Sequence, residues 1–249
     1  MATWNPWHGC RKVSPGCLNC CVYRRDAEFG KDSSFIARTS SFDLPVKRNR
    51  KGIYKLQPDE GAVYTCMTSD FFVEEADEWR PEAWKMIQAR GDLHFMIITK
   101  RIHRFQIGLP KDWGEGYDNV TICCTCENQN MADYRLPIFL NLPIRHRTII
   151  HEPMLEWIEI RRYLATGLIE QVTCGGESGP EARICDYAWI LDTMQQCVEH
   201  NVPFWFKQTG AKFKKGSRVY HIKRKDQMSQ AEKAGVNYRF GSNMFNQDR

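Results

Sequence analysis

Six short apolar runs recur along this chain at a spacing that leaves room for one crossover after each. They lie at 62–67, 94–98, 120–125, 147–151, 170–174 and 203–206 and are rich in Val, Ile, Phe and Cys. Each is followed by a polar or charged residue: Asp70, Lys100, Glu127, Glu152, Glu177 and Lys207, the last beside Gln208. Successive members of this series are 30, 27, 25, 25 and 30 positions apart. A strand, its loop and a return helix take roughly 30 residues, so the period is architectural, and it predicts parallel strands alternating with helices. A further strand near residues 4–7 brings the expected number to about seven, mainly parallel, in an α/β fold of the partial (β/α) TIM-like barrel type. In such a fold the strand C-termini share one face, so the series above is expected to line one pocket.

Helices are predicted at 81–89, which opens on Pro81, and at 131–140, 154–164 and 187–200. Residues 30–60 are polar and basic without period, which reads as irregular connection. With 249 residues, 42% hydrophobic and 26% charged, the chain suffices for one domain with a substantial core. That single domain is expected to span 1–249, with an N-terminal cluster loop at 4–21 and a basic C-terminal extension at 211–249. No run approaches the roughly 20 apolar residues that span a bilayer, and no charged segment leads into an apolar one at the start. A cytoplasmic protein with no membrane partner is therefore expected.

Eleven cysteines is an odd and unusually high count, and since a disulfide framework belongs to short secreted chains, metal binding or reactive thiols explain it better. Cys10, Cys17 and Cys20 lie in a loop bent by Pro15 and Gly16. Three thiolates on a cubane cluster leave one iron open for a substrate or cofactor. The alternatives are structural zinc with a fourth ligand such as His8 or Cys21, which closes the site, and unligated thiols. Cys66, Cys124 and Cys174 fall on alternate strands and define either a second metal site or, as the more economical reading, buried packing positions. Gly175 and Gly176 allow close approach to the backbone, and Glu177 can receive an ammonium group. Lys100 with Arg101, and Lys207 with Gln208, are candidates for binding a carboxylate or phosphate. His151 beside Glu152 is either a proton carrier or a hydrogen-bonded core histidine. Trp79 and Trp84, at helical spacing, read as core.

The net charge of +5 is unevenly placed. Lys212, Lys214, Lys215, Arg218, Lys223, Arg224 and Lys225 fall within fourteen residues that contain no acid. Such a stripe suits a polyanion, nucleic acid above all, or serves as a solvated face.

Taken together, Trp4-Asn5-Pro6, Gly9-Cys10, Val13-Ser14-Pro15-Gly16-Cys17, Asn19-Cys20, Glu78-Trp79-Arg80-Pro81, Ile98-Thr99-Lys100, Glu127-Asn128-Gln129, Glu152-Pro153, Gly175-Gly176-Glu177-Ser178-Gly179-Pro180 and Phe206-Lys207-Gln208 resemble a known family. This is the phage- and prophage-associated group of unknown function with a three-cysteine motif, a divergent branch near the radical SAM enzymes. The resemblance implies a 4Fe–4S cluster on Cys10, Cys17 and Cys20 and, more loosely, S-adenosylmethionine as cofactor. It also implies a dedicated partner protein. Six and two residues separate the cysteines here, against the three and two usual in radical SAM enzymes, and Gly175-Gly176-Glu177 lies late in the chain rather than at an early strand. On this reading Glu177, with Gly175 and Gly176, contacts the cofactor amine, Asp70 and Glu127 orient ribose or substrate groups, and Glu152 and Lys100 are catalytic candidates. The expected function is reductive cleavage of S-adenosylmethionine to modify or repair a substrate, with nucleic acid the preferred class. The alternatives are a metal-stabilised nucleic-acid-binding protein without catalysis and a 4Fe–4S enzyme that does not use the cofactor.

Overall fold

The computed structural model describes residues 2–58 and 61–239. Its strands are β1 (Ala2–Trp4), β2 (Trp7–His8), β3 (Ala37–Arg38), β4 (Val63–Thr65), β5 (Phe95–Thr99), β6 (Val120–Thr125), β7 (His146–His151), β8 (Gln171–Gly175), β9 (Ile184–Asp186), β10 (Phe204–Gln208), β11 (Lys212–Lys215) and β12 (Arg218–His221). The helices are α1 (Cys21–Glu28), α2 (Arg80–Ala89), α3 (Gln129–Leu140), α4 (Arg161–Leu164), α5 (Tyr187–Glu199) and α6 (Gln227–Lys233). The protein is thus a mixed α/β fold, with a seven-stranded sheet in the order β1-β4-β5-β6-β7-β8-β10. Every run predicted from the apolar period is a strand of that sheet. No helix among the described residues is long and apolar enough to cross a membrane.

Two compact units make up the chain. The first comprises Met1–Val13, Cys20–Cys124 and Asn141–Arg147. In it β1, β4, β5 and β6 pair in parallel. All six residues of β6 are buried, as expected of a parallel strand covered on both faces. The core beside these strands is aromatic. Trp7 lies 5.2 Å from Phe71, Phe71 lies 4.8 Å from Trp84, and Trp84 lies 4.9 Å from Trp113, mostly in tilted or edge-on pairs. Pro81 sits in the first turn of α2, where its missing N–H is no loss. Beside it, the fully buried Arg80 donates to the carbonyls of Phe71, Val73 and Ile107 and to Asp77 at 2.7–3.0 Å, which fixes the segment after β4.

The second unit comprises Ser14–Asn19, Thr125–Leu140 and Thr148–Arg249. Here β7, β8 and β10 run parallel, and a small second sheet joins β9 to β11 in parallel and β11 to β12 antiparallel. Asn128 caps α3 by accepting from the N–H of Met131 at 2.9 Å, and Asp186 caps α5 by accepting from Ala188 at 3.0 Å.

The helix expected over 154–164 is confined to α4. The backbone donors ahead of it are engaged elsewhere: Met154 N–H reaches the carbonyl of Gly175 and Leu155 N–H that of Glu127, both at 2.9 Å. Glu159 and Ile160 N–H groups go to the side-chain oxygens of Gln129 and Gln196, both at 2.7 Å. Glu159 and Ile160 would donate to the carbonyls of Leu155 and Glu156 in a helix from 154, so with these two donors diverted the i to i−4 ladder does not run through to Arg161. Within the basic extension, residues 212–221 form the β11–β12 hairpin and 227–233 a helix, whereas 240–249 lie outside the described residues.

Arg80→Met is expected to lower stability by about 3 kcal/mol or more, because the buried carbonyls of Phe71 and Val73 and the part-buried one of Ile107 lose a charged donor at once. Urea unfolding measures it, and a loss under about 1 kcal/mol contradicts the role given to Arg80.

Candidate functional site

In the first unit the Cys10 arm is pinned by its neighbours. Gly9 sits at φ +89°, and a Cβ there would fall 2.2 Å from the Phe35 carbonyl oxygen, so only glycine fits. Cys10 N–H donates to the Ser33 carbonyl at 2.8 Å, Gly9 N–H to that of Thr68 at 3.2 Å, and the Tyr23 hydroxyl to that of Cys10. Burial, and then the thiols of Cys10 and Cys20, push the Tyr23 hydroxyl pKa up, so both cysteines act on one ring. The Cys20 thiol is pushed up by its hydrogen bond with Cys21 and then by burial.

Asp70 follows β4 after a turn in which Cys66 takes the left-handed conformation at φ +64°. Its buried carboxylate accepts from Thr99 Oγ1 at 2.8 Å, Lys100 N–H at 2.9 Å and Phe72 N–H at 3.0 Å, and pairs with Arg101 Nη1 at 3.3 Å. Arg101 in turn reaches Cys10 Sγ at 3.6 Å and the Arg11 carbonyl at 2.6 Å. The strand-end acid of this unit is therefore coupled to the cysteine arm. Lys100 is half-buried at the end of β5 and gives its backbone N–H to Asp70.

The second unit treats the Cys17 turn in the same way. Cys17 closes a 3₁₀ turn over Pro15–Cys17, with its Sγ 3.9 Å from Ser14 Oγ. Gly16 N–H donates to Glu127 Oε1 at 3.0 Å, and a Cβ on Gly16 would lie 2.9 Å from the Glu127 carboxyl carbon, so glycine permits the approach. Glu127, wholly buried, also pairs with Arg135 at 2.7 Å. Asn19 Nδ2 donates to Glu177 Oε2 at 3.0 Å, and Arg183 reaches Glu177 through Nε at 2.9 Å, Nη2 at 2.6 Å and its backbone N–H at 2.9 Å. Arg183 Nη1 also donates to the Pro15 carbonyl at 3.0 Å. Burial opposes ionisation of Glu177, but the donors on Arg183 and Asn19 outweigh it and hold its carboxyl below the usual range.

Gly175 and Gly176 have packing reasons to be glycine. A Cβ on Gly176 would lie 2.2 Å from the Thr209 carbonyl oxygen, and one on Gly175 would lie 3.2 Å from Gln208 and Glu152. Glu152 pairs with Lys207 Nζ at 2.7 Å and accepts from Gln208 Nε2. His151 is a core histidine: wholly buried, it donates from Nδ1 to the Cys126 carbonyl, its Nε2 finds no hydrogen-bond partner among the described residues, and burial pulls its pKa down to about 4. At neutral pH it is uncharged, a weaker base than an exposed imidazole.

Cys10, Cys17 and Cys20 are half-exposed and Cys21 is exposed, while the other seven cysteines are buried. Burial raises the thiol pKa values of Cys66, Cys174, Cys185 and Cys197. Among the described residues no three His, Cys, Asp or Glu side chains are gathered closely enough to hold a metal ion. Cys66, Cys124 and Cys174 are all buried, as the packing reading expects. Trp84 is core as expected, and the half-buried Trp79 leans on Trp7 with ring centroids 6.3 Å apart.

The basic stripe is partly spent. Lys214 pairs with Asp186 at 2.8 Å, an acid from outside the stripe, and Arg224 reaches Ser178 Oγ at 3.3 Å. Lys215 lies 5.1 Å over the Tyr187 ring and Arg218 4.8 Å over Tyr220. All four residues of β12 are exposed. Sequence reasoning missed Arg135, Arg183 and Asn19: the two arginines lie only eight and six positions from the acids they pair with, whereas Asn19 meets Glu177 across 158.

Fold and site define a mixed α/β protein whose strand-end acids anchor an N-terminal three-cysteine segment. The chain belongs to the family described as "Protein of unknown function (DUF5131)", which matches residues 1–240. No curated protein and no solved structure matches it.

The histidine supplies a pH test. The unfolded chain takes up a proton near pH 6.5 that folded His151 refuses until about pH 4. Stability contributed by the neutral ring is therefore present above pH 6.5 and is lost as pH falls through that window, by about 3 kcal/mol. In urea unfolding across pH 4–7, His151→Gln is expected to flatten this slope. An unchanged slope contradicts the assignment.

Proposed function

We propose that this chain is an iron–sulfur enzyme of radical SAM type, in which Cys10, Cys17 and Cys20 hold a 4Fe–4S cluster with one open iron and the parallel strands form a partial TIM-like barrel. Kinship with the radical SAM enzymes, phage association and a cytoplasmic location belong to the same proposal. The observation that carries it is where the buried strand-end charges go: Asp70 through Arg101 to the Cys10 arm, Glu127 to Gly16, and Glu177 to Asn19. Ionised carboxylates are expensive to bury, and three of them are used here on one eleven-residue segment from Cys10 to Cys20.

The donor types suit a cluster, and binding it would draw together three sulfurs that, among the described residues, are not gathered closely enough to hold a metal ion. These three thiols are accessible while seven others are buried, and a guanidinium faces Cys10 Sγ, the electropositive setting that favours thiolate. When bound, such a cluster supplies one electron for reductive cleavage of the sulfonium of S-adenosylmethionine. The protein's own residues bind and orient. Lys100 offers an ammonium for a carboxylate at the end of β5, and the Glu152–Lys207 pair presents both charges at the ends of β7 and β10. The exposed cations of β12 and its flanks, Arg218, Lys223 and Lys225 among them, supply the surface for a nucleic acid substrate. The full set of donors already on Glu177 favours a second reading, a 4Fe–4S enzyme that does not use S-adenosylmethionine.

Anaerobically purified protein is expected to contain iron and sulfide in equal amounts with a sulfur-to-iron charge-transfer band, and to release 5′-deoxyadenosine on reduction with the cofactor. Cys10→Ala, Cys17→Ala and Cys20→Ala should each abolish iron retention, while Cys124→Ala retains it. Zinc in place of iron contradicts the proposal; a cluster without deoxyadenosine supports the second reading.

A further inference from the structure

Arg101 divides one buried guanidinium among three partners. Its Nη1 lies 3.3 Å from Asp70 Oδ2 and 3.6 Å from Cys10 Sγ, and its Nη2 lies 2.6 Å from the Arg11 carbonyl. The two charged side chains are 5% and 6% exposed, so the pair is shielded from solvent and from screening ions. Asp70 is itself immobilised by Thr99, Lys100 and Phe72. A guanidinium that paired only with a carboxylate would close a bidentate fork on it. This one is turned so that one edge meets sulfur and backbone of the cysteine arm.

We propose that Arg101, clamped by Asp70, is the positioning residue for Cys10: it holds the arm through the Arg11 carbonyl and directs an N–H at the ligand sulfur. The inference rests on the reading of Cys10 as a cluster ligand. A guanidinium stays protonated at any working pH, so this donor is permanent. Hydrogen bonds to ligand sulfur withdraw electron density and favour the reduced cluster, which makes Arg101 a determinant of its reduction potential. Asp70 is thereby a clamp, its oxygens committed to the protein.

Arg104, three residues on, is the internal control. Its guanidinium is spent on Glu74, Asp77 and the Phe72 carbonyl, and among the described residues it makes no hydrogen bond to the cysteine arm.

The test uses the full chain with Arg101→Gln, Arg101→Lys, Asp70→Asn and Arg104→Gln. In metal-free protein, hydrogen exchange of the amides at 10–13 is expected to accelerate about tenfold in Arg101→Gln and Asp70→Asn. Arg101→Lys should recover part of the protection, and Arg104→Gln should match the unmodified chain. In iron-loaded protein, potentiometric titration should place the Arg101→Gln cluster at a more negative potential than the parent. Wild-type exchange in both Arg101→Gln and Asp70→Asn overturns the clamp, and an unshifted potential overturns the sulfur-directed role. Failure of every variant and the parent to take up iron overturns the cluster reading and the sulfur role with it, while the exchange rates still decide the clamp.

Discussion

Buried carboxylates at the ends of parallel strands are the constraint on which this structure turns. A buried acid leaves water only where donors replace its hydration, and here each acid takes at least one donor from the cysteine segment itself or from an arginine that also holds it. Asp70 collects two backbone N–H groups, a hydroxyl and Arg101; Glu127 collects Gly16 and Arg135; Glu177 collects Asn19 and Arg183. Removing one of these donors leaves a buried acid short of a hydrogen-bond partner. The loop conformation and the strand ends are therefore coupled within each unit, and the loop is held by electrostatics where it has few apolar contacts of its own.

That coupling changes what the acids do. As strand-end carboxylates they read as ligands for a ribose, an amine or a substrate. Their actual partners make them anchors, with the oxygens of Glu177 occupied on both sides by Arg183 and Asn19. Lys100 and the Glu152–Lys207 pair are then the strand-end groups best suited to meet a small molecule.

The central strands were legible because parallel strands are buried on both faces and read as short apolar runs at crossover spacing; β6, buried throughout, is the clearest case. Helix α1 left no apolar signature, since only Val22 and Asp26 along it are buried. The β11–β12 hairpin reads as a lysine-rich tail, because its β12 strand is exposed on both faces. The helix over 154–160 fails because Gln129 and Gln196 intercept its backbone donors, a contest between distant residues that periodicity does not register. At the site, the cysteines and the acids were visible in sequence, and the pairings were not. Asn19 and Glu177 meet across 158 positions, and Arg101 and Cys10 across 91.

The most direct test of the account is native mass spectrometry of the chain isolated without oxygen. A mass increment of one 4Fe–4S cluster, absent from Cys10→Ala, Cys17→Ala and Cys20→Ala alike, is the predicted result. A single zinc ion, or an iron increment that survives loss of any of the three thiols, contradicts it.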